Sequence, residues 1–163
     1  MRYTIEVMTF SISSDNLEAT LALGNAIGAA VKGGEVIELR SDVGGGKTTF
    51  TKGLAAGMGS TDTVQSPTFT ISRIYQAAKG LELHHFDFYR LQDPGIMAAE
   101  LAESLNDERA VVVVEWSDIV ADILPAQRMR LTIRATGEDS REITIEVPDH
   151  LTDVCTALKG YAQ

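Results

Sequence analysis

A strand that runs through a glycine-rich loop directly into a helix is the feature of this sequence that most constrains its fold. Glu35–Arg40 has the length and apolar content of a short strand, and three glycines follow it within the next six residues. Helical spacing begins at Lys47, with apolar residues at every fourth position from Phe50 to Met58, and Gly59 ends the pattern. A strand joined to a helix in this way favours an α/β fold.

The rest of the chain continues the alternation of strands and helices. Ala110–Val114 is an uninterrupted apolar run, which is typical of a central strand covered on both faces. Around it the patterns predict a strand at Tyr3–Ile12, hairpins of Thr68–Gln76 with Leu81–Phe88 and of Arg128–Arg134 with Arg141–Val147, and helices at Pro94–Leu105 and Thr152–Lys159. The sequence therefore predicts an α/β sandwich with a mostly parallel central sheet, flanked by helices and extended by β-hairpins, with residues 1–163 as one domain.

The first helix is predicted to begin at Asp15. The Asp15 carboxylate can cap backbone amides, and Glu18 lies three residues later, where it can complete a capping box. Apolar residues then recur on one face of the helix: Leu17, Leu21, Ile27 and Val31. This is the face that we expect the helix to bury.

The segment Ser41–Phe50 matches a phosphate-binding loop in its context as well as in its residues. Its glycines let successive backbone N–H groups turn toward an anion, and the helix N-terminus adds partial positive charge at the same point. Lys47 would reach the β- and γ-phosphates, and the Thr48 hydroxyl would complete a magnesium shell. The pattern G-x-x-x-x-G-K-[ST] is broken at its first position, where this chain has Ser41. The predicted nucleotide-binding residues in this P-loop NTPase-like fold are Val43, Gly44, Gly45, Gly46, Lys47, Thr48 and Thr49.

Two carboxylates at predicted strand ends are candidates for the acid that a phosphate-binding loop needs near its metal ion. Glu115 follows Ala110–Val114 immediately, and Asp87 is late in the strand that contains HHFDFYR. Each of them alone is equally well explained as a surface carboxylate at a strand end. Two of them in a chain with a phosphate loop favour a shared site, in which Thr48, Asp87 and Glu115 are the predicted metal ligands.

The charge of the chain argues against a protein that binds nucleic acid by itself. Lys and Arg number 14 against 23 Asp and Glu, so the formal net charge is −9. Autonomous nucleic-acid binding relies on surface cations and is therefore disfavoured. No apolar run approaches the roughly 20 residues of a membrane-spanning helix. The N-terminus lacks the pattern of a secretory signal, and the lone Cys155 suits a reducing compartment, so we expect a cytoplasmic protein with no membrane partner.

Four motifs taken together resemble the TsaE family: SDVGGGKTTF at residues 41–50, SPTFTI at 66–71, HHFDFYRL at 84–91 and VVEWSD at 113–118. With the lengths on either side, the resemblance covers nearly the whole chain. It implies a bacterial P-loop ATPase required for N6-threonylcarbamoyladenosine (t6A) modification at A37 of ANN-decoding tRNAs. ATP and Mg²⁺ are the implied ligands, and TsaB and TsaD are the implied protein partners. The resemblance implies that tRNA is reached only through the TsaB–TsaD complex.

The resemblance also implies a role for each motif. Lys47, Asp87 and Glu115 would be catalytic, with Glu115 as a Walker B-like acid that holds the metal directly or through water. Which of Asp87 and Glu115 polarises the attacking water stays open. The remaining implied roles are a switch-like loop at Ser66, Pro67, Thr68 and Phe69, packing beside the nucleotide or a partner by Trp116, and contact near the adenine by Arg141.

Other functions stay open at this stage. A small-molecule kinase would need a lid with several arginines, and the only insert large enough, Asp93–Asp107, contains none. A nucleotide-gated scaffold that binds ATP without turnover is a further alternative, which Ser41 favours. His84 and His85 are adjacent, so a strand directs them to opposite faces, and both are predicted to be structural or interfacial. Arg90 could be an arginine finger, although a salt bridge is favoured; without such a cation, hydrolysis by the chain alone would be slow.

Overall fold

The chain folds around a mixed β-sheet with helices on both faces. The computed structural model describes residues 4, 6–42, 44, 46–67 and 70–161. The strands are β1 (Val7–Ser14), β2 (Val36–Arg40), β3 (Ser72–Gln76), β4 (Glu82–Asp87), β5 (Ala110–Glu115), β6 (Met129–Ala135) and β7 (Arg141–Pro148). The α-helices are α1 (Leu17–Ala30), α2 (Lys47–Gly57), α3 (Ile96–Leu105) and α4 (Thr152–Lys159), with 3₁₀ turns at Ala78–Gly80 and Ser117–Val120. No helix within the described ranges has the length and apolar character that a membrane span requires.

The described strands form one seven-stranded sheet in the order β1-β7-β6-β2-β5-β4-β3. Its centre, from β6 through β2 and β5 to β4, is parallel. The outer strands β7, β1 and β3 pair antiparallel with their neighbours. The predicted α/β sandwich, with its mostly parallel centre and its two hairpins, is thereby confirmed. The predicted start of the first hairpin at Thr68 lies outside the described residues, and β3 begins at Ser72.

Strand β5 separates two hydrophobic cores. Val111 and Val113 belong to the core that α1, α2 and α4 cover, whereas Val112 and Val114 belong to the core beneath α3. Successive side chains of a strand point to opposite faces. A strand that is covered on both faces must therefore be apolar throughout, and this explains the run that was predicted to be central.

Helices α1 and α2 pack so closely that their backbones meet at glycines. A Cβ atom added to Gly24 of α1 would collide with the carbonyl oxygen of Phe50, and one added to Gly53 of α2 would collide with that of Leu21. A further glycine on each helix makes the same close approach: Gly28 and Gly57. Because the colliding atoms belong to backbone, a larger residue could be accommodated only by separating the two helices.

The start predicted for α1 was wrong, and the predicted apolar face was right at Ile27 and Val31, which are buried, but wrong at its first two leucines. The cap is Asn16 instead of Asp15, and Asn16 Oδ1 accepts a hydrogen bond from the Ala19 amide at 2.8 Å. Leu17 and Leu21 are exposed, while the buried face consists of Thr20, Leu23, Gly24, Ile27 and Gly28. The close approach to α2 requires the glycines to face inward, and this orientation turns the two leucines outward.

Candidate nucleotide-binding site

The candidate site lies at the carboxyl edge of the parallel strands. β2 ends at Arg40 and leads into the loop before α2, whereas β4 ends at Asp87 and β5 at Glu115. Glu115 is in register with Asp87 on one side and with Leu39 of β2 on the other. Ligands of open α/β sheets bind at this edge. The topology therefore brings the two predicted acids beside the predicted phosphate loop.

The loop between β2 and α2 has the glycine geometry of an anion-binding turn. Gly44 and Gly46 have φ angles of 78° and 105°, which favour glycine over other residues. Gly46 directly precedes α2, so the unpaired amides of the first helical turn, at Lys47 and beyond, lie at the end of the loop. The predicted residues Val43 and Gly45 lie outside the described residues. The described part of the loop is suited to binding a phosphate.

Lys47 extends from the first turn of α2 back over its own loop. Its Nζ atom donates hydrogen bonds to the carbonyl oxygens of Ser41 at 3.1 Å and Asp42 at 3.3 Å. The same atom lies 5.0 Å from the ring centroid of Trp116, a distance at which an ammonium group is attracted to the ring face. Trp116 in turn packs on Tyr89, with ring centroids 4.8 Å apart. The Lys47 ammonium is thus held between the loop and Trp116.

A cavity of about 420 Å³ joins these elements. Its volume falls within the roughly 300–1,000 Å³ that is typical of small-molecule sites. Leu17 and Tyr89 contribute to its wall although neither was predicted, and Arg90 lies there too. Tyr89 and Arg90 follow Asp87 in the D-x-Y-R segment, so their place near the site could have been predicted from that motif. No motif in the sequence connects Leu17 with the site. The predicted residues that line the cavity are Gly44, Gly46, Lys47, Thr48, Thr49, Ser66, Asp87, Glu115, Trp116 and Arg141.

Both acids are buried, and each accepts a hydrogen bond. Asp87 is 5% exposed, and its Oδ1 atom accepts a hydrogen bond from the Tyr89 amide at 2.9 Å. Glu115 is 2% exposed, and its Oε2 atom lies 2.9 Å from Nε2 of His85. A buried carboxylate is costly unless it has such partners. The two acids are therefore fixed in the wall of the cavity.

The predicted switch-like segment reaches Asp87 through the backbone. The carbonyl oxygen of Pro67 accepts a hydrogen bond from the Ile71 amide at 2.6 Å. The carbonyl oxygen of Ile71 accepts one from the Asp87 amide at 2.8 Å. Thr68 and Phe69 lie outside the described residues. The turn that begins at Pro67 is thus coupled to the end of β4.

A further buried carboxylate lies on β2, just before the loop. Glu38 is 1% exposed and accepts hydrogen bonds from Arg128 Nε at 2.7 Å, Ser117 Oγ at 2.8 Å and Arg40 Nε at 2.9 Å. Burial raises the pKa of Glu38, but these hydrogen bonds outweigh burial and lower that pKa to about 2. Because Ser117 follows Trp116 and Arg40 precedes the loop, Glu38 connects the two segments that meet at Lys47.

Arg141 lies beside the phosphate loop but is also bonded within its own hairpin. Its Nη1 atom donates hydrogen bonds to the carbonyl oxygens of Gly137, Glu138 and Ser140 at 3.2, 3.1 and 2.8 Å. A Cβ atom on Gly46 would lie 3.4 Å from Arg141 Nε. Arg141 therefore borders the cavity next to Gly46, and its contact near the adenine stays a prediction.

The two adjacent histidines face opposite sides of β4, as the alternation predicted. His85 points toward Glu115, whereas His84 Nε2 lies 3.1 Å from Oε2 of Glu82. One side-chain oxygen of Glu82, one ring nitrogen of His84 and one side-chain oxygen of Asp107 all lie within 4.8 Å of one another. Arg109 contacts both carboxylates, at 3.7 Å and 3.4 Å. We interpret the group around His84 as an ion-pair network, because the Arg109 guanidinium already contacts both of its carboxylates.

Comparison with known proteins agrees with the four motifs. The model of a family described as "Threonylcarbamoyl adenosine biosynthesis protein TsaE" matches residues 14–143. The chain belongs to the TsaE family. The family resemblance that the motifs predicted is thereby confirmed, and it carries a family-level role in tRNA threonylcarbamoyladenosine biosynthesis.

Individual TsaE proteins match most of the chain. The chain is 42% identical over 134 residues to the tRNA threonylcarbamoyladenosine biosynthesis protein TsaE of Bacillus subtilis, covering 79% of this chain and 80% of that protein. It is 33% identical over 132 residues to the protein of the same name from Treponema pallidum, covering 81% and 96%. The crystal structure of Bacillus subtilis YdiB superposes with a TM-score of 0.75 at 33% identity, covering 96% of this chain and 98% of that one.

Proposed function

We propose that this TsaE-family chain is a Mg²⁺-dependent P-loop ATPase that serves t6A modification of tRNA by acting on the TsaB–TsaD complex. One observation carries the proposal. A single cavity joins Lys47 and Thr48, at the start of α2, to Asp87 and Glu115, at the ends of two parallel strands. A cation and helix amides for the phosphates, together with acids for the metal and the water, are the parts that phosphoryl transfer requires.

The residues present suit a triphosphate and its metal ion. Mg²⁺ prefers oxygen ligands and takes few of them from protein, and the cavity offers the Thr48 hydroxyl and two carboxylates. We propose that Thr48 and Glu115 hold the ion, Glu115 directly or through water, with Asp87 as the third candidate ligand. When bound, Mg²⁺ supplies charge that neutralises the phosphate oxygens during transfer.

The chain's own part in hydrolysis would be to hold the phosphates and orient the water. Lys47 would bind the terminal phosphates, while Asp87 or Glu115 would accept a hydrogen bond from the attacking water. An arginine supplied by a partner accelerates such reactions by about 10³ to 10⁵. We propose slow turnover by the chain alone and faster turnover when the partner complex is bound.

The proposed partners are proteins, with tRNA reached only through them. The net charge of −9 suits a protein that docks on a protein complex rather than on a phosphate backbone. The curated relatives at 33% and 42% identity are named for t6A biosynthesis, which connects the proposed ATPase to that modification. We propose action in the cytoplasm, on TsaB and TsaD.

The kinase alternative has little support in the fold. The segment that would have to serve as an acceptor lid contains α3, and Leu101 of α3 is completely buried in the core against β5. The same segment contains no arginine that could hold a transferred phosphate. A helix anchored in this way covers the sheet and is not free to close over a second substrate.

The proposal is tested by Mg²⁺-dependent ATP hydrolysis, measured with the purified chain alone and after addition of TsaB and TsaD. GTP in place of ATP, and TsaB–TsaD without the chain, are the controls. We expect low activity that rises several-fold with the partners. ATP binding without turnover in either condition would favour the nucleotide-gated scaffold. Failure to bind ATP at all would contradict the nucleotide site itself.

A further inference from the structure

His85 and Glu115 form a hydrogen-bonded pair that is shielded from solvent. His85 is 0% exposed, and its Nε2 atom lies 2.9 Å from Oε2 of Glu115. Its other ring nitrogen, Nδ1, is buried and has no hydrogen-bond partner among the described residues. Burying an imidazole ring with one nitrogen unsatisfied costs stability. The hydrogen bond to Glu115 is therefore the contact that explains why a histidine occupies this position.

The sheet register explains why this histidine reaches the acid. His85 lies two residues before Asp87 on β4, so both side chains point to the same face, and Asp87 is in register with Glu115 on β5. His84 lies on the opposite face, where its Nδ1 atom is 2.7 Å from Ser104 Oγ. The two adjacent histidines thus differ in one relevant respect, which is contact with the acid of the candidate site.

The chemistry of the pair fixes the direction of the hydrogen bond. An ionised carboxylate can only accept hydrogen bonds, so His85 donates from Nε2–H to Glu115. This bond engages Oε2 of Glu115 and leaves Oε1 as the oxygen that His85 does not bind. A donor placed behind an acid in this way fixes the rotamer of the acid.

We propose that His85 is a positioning residue for Glu115: it donates a hydrogen bond to Oε2 and so presents the other carboxylate oxygen to the Mg²⁺ that accompanies the nucleotide. The inference rests on the proposed function, because it concerns the same acid. Partners that orient a metal ligand contribute about 10- to 100-fold to metal affinity or activity. The loss of His85 should therefore appear first in the Mg²⁺ dependence and not in the binding of nucleotide without metal.

Two amide substitutions of different length separate a hydrogen-bond role from a packing role. In His85→Gln the amide nitrogen can reach about the position of Nε2 and donate to Glu115, whereas in His85→Asn the amide is too short. His85→Leu removes the donor with no buried amide and serves as a second test if the Asn variant does not fold. His84→Gln is the matched control, since it changes the neighbouring histidine on the other face of the same strand.

The measurement is binding of a fluorescent ATP analogue as a function of Mg²⁺ concentration, repeated with ADP in the presence of a chelator. We expect His85→Asn and His85→Leu to raise the half-saturating Mg²⁺ concentration about 10-fold or more. ADP binding without metal, and the half-saturating Mg²⁺ concentration of His84→Gln, should change little. His85→Gln should lie within about 3-fold of wild type, because it keeps the donor.

Failure of the inference and failure of the proposed function give different results. If Glu115→Gln raises the half-saturating Mg²⁺ concentration while His85→Leu leaves it at the wild-type value, the positioning role is refuted and the ATPase proposal stands. The role is equally refuted if a folded His85→Gln protein is as defective as His85→Leu. If the wild-type chain neither binds the analogue nor hydrolyses ATP at any Mg²⁺ concentration, the proposed function itself fails and the inference fails with it.

Discussion

Asp87 and Glu115 are register partners on the adjacent parallel strands β4 and β5. Parallel pairing brings the carboxyl ends of both strands to one edge, and side-chain alternation then directs both acids to the same face. Both line the cavity that also contains Lys47. Two buried acids this close can take different roles in the proposed hydrolysis, one as a ligand of the metal ion and the other as the group that orients the attacking water.

Replacing either acid by its amide is expected to stop hydrolysis without preventing nucleotide binding. Asp87→Asn and Glu115→Gln keep the shape of the side chain but remove its charge, so turnover should fall by about 100-fold or more. ATP affinity at saturating Mg²⁺, measured by titration of a fluorescent analogue, should stay within a few-fold of wild type. Asp118→Asn changes an exposed acid of the following 3₁₀ turn and is the matched control. Wild-type turnover in both amide variants would contradict the assignment of the acids.

Removal of the Lys47 ammonium is expected to abolish nucleotide binding while the fold stays intact. Lys47→Ala leaves the phosphate end of the cavity without its lysine, so we expect no measurable ATP binding at concentrations that saturate the wild type. Lys52→Ala is the matched control, because Lys52 is an exposed lysine of the same helix. Isothermal titration with ATP and circular dichroism of both variants make the comparison. An unchanged affinity in the Lys47→Ala protein would contradict the phosphate loop.

The parts of the site that were predictable from sequence are those encoded within one continuous segment. The strand, the glycines and Lys47 occur together in Glu35–Phe50, so their local geometry needs no knowledge of the rest of the chain. Asp87 and Glu115 could be identified because each lies at or near the end of a predicted strand. The parallel edge that gathers such strand ends is a general property of α/β sheets.

The contacts that escaped prediction join segments that are distant in sequence. His85 meets Glu115 only because β4 and β5 pair in one particular register, and Arg128, which directly precedes β6, reaches Glu38 on the neighbouring strand β2. The orientation of α1 was missed for a different reason. Hydrophobic periodicity identifies the buried face of a helix from its large apolar side chains. A face formed by glycines such as Gly24 gives no such signal, because its burial depends on contact with the backbone of a second helix.

The glycine contact between α1 and α2 is expected to be intolerant of even one added methyl group. The Cβ atom of Gly24→Ala would collide with the Phe50 carbonyl oxygen, so the helices must separate, and overpacking of this kind costs about 1–3 kcal/mol. Gly160→Ala is the control, since a Cβ atom there would lie at an ordinary 3.6 Å from the Ala157 carbonyl oxygen. Urea unfolding measures both free energies. Equal stability of the two variants would argue against backbone contact between the helices.

The Glu38 network is expected to make stability depend on pH in a defined window. The pKa of Glu38 is about 2 in the folded chain and 4.5 ordinarily, so its contribution is complete above pH 4.5 and is lost as pH falls toward 2. That difference corresponds to about 3 kcal/mol of unfolding free energy at neutral pH. Glu38→Gln also leaves the buried Arg128 without its counter-charge, so the variant should be less stable by a similar amount.

Urea unfolding of wild type and Glu38→Gln between pH 7 and pH 3 isolates the Glu38 contribution, because the other acids cancel in the difference. The stability gap between the two proteins should be constant from pH 7 to about pH 5 and should narrow below it, since only the wild type has a Glu38 to protonate. Glu138→Gln alters an exposed acid of the β6–β7 hairpin and should follow the wild-type curve throughout. A gap that stays constant down to pH 3 would mean that Glu38 is not held in its charged form by Arg128, Ser117 and Arg40.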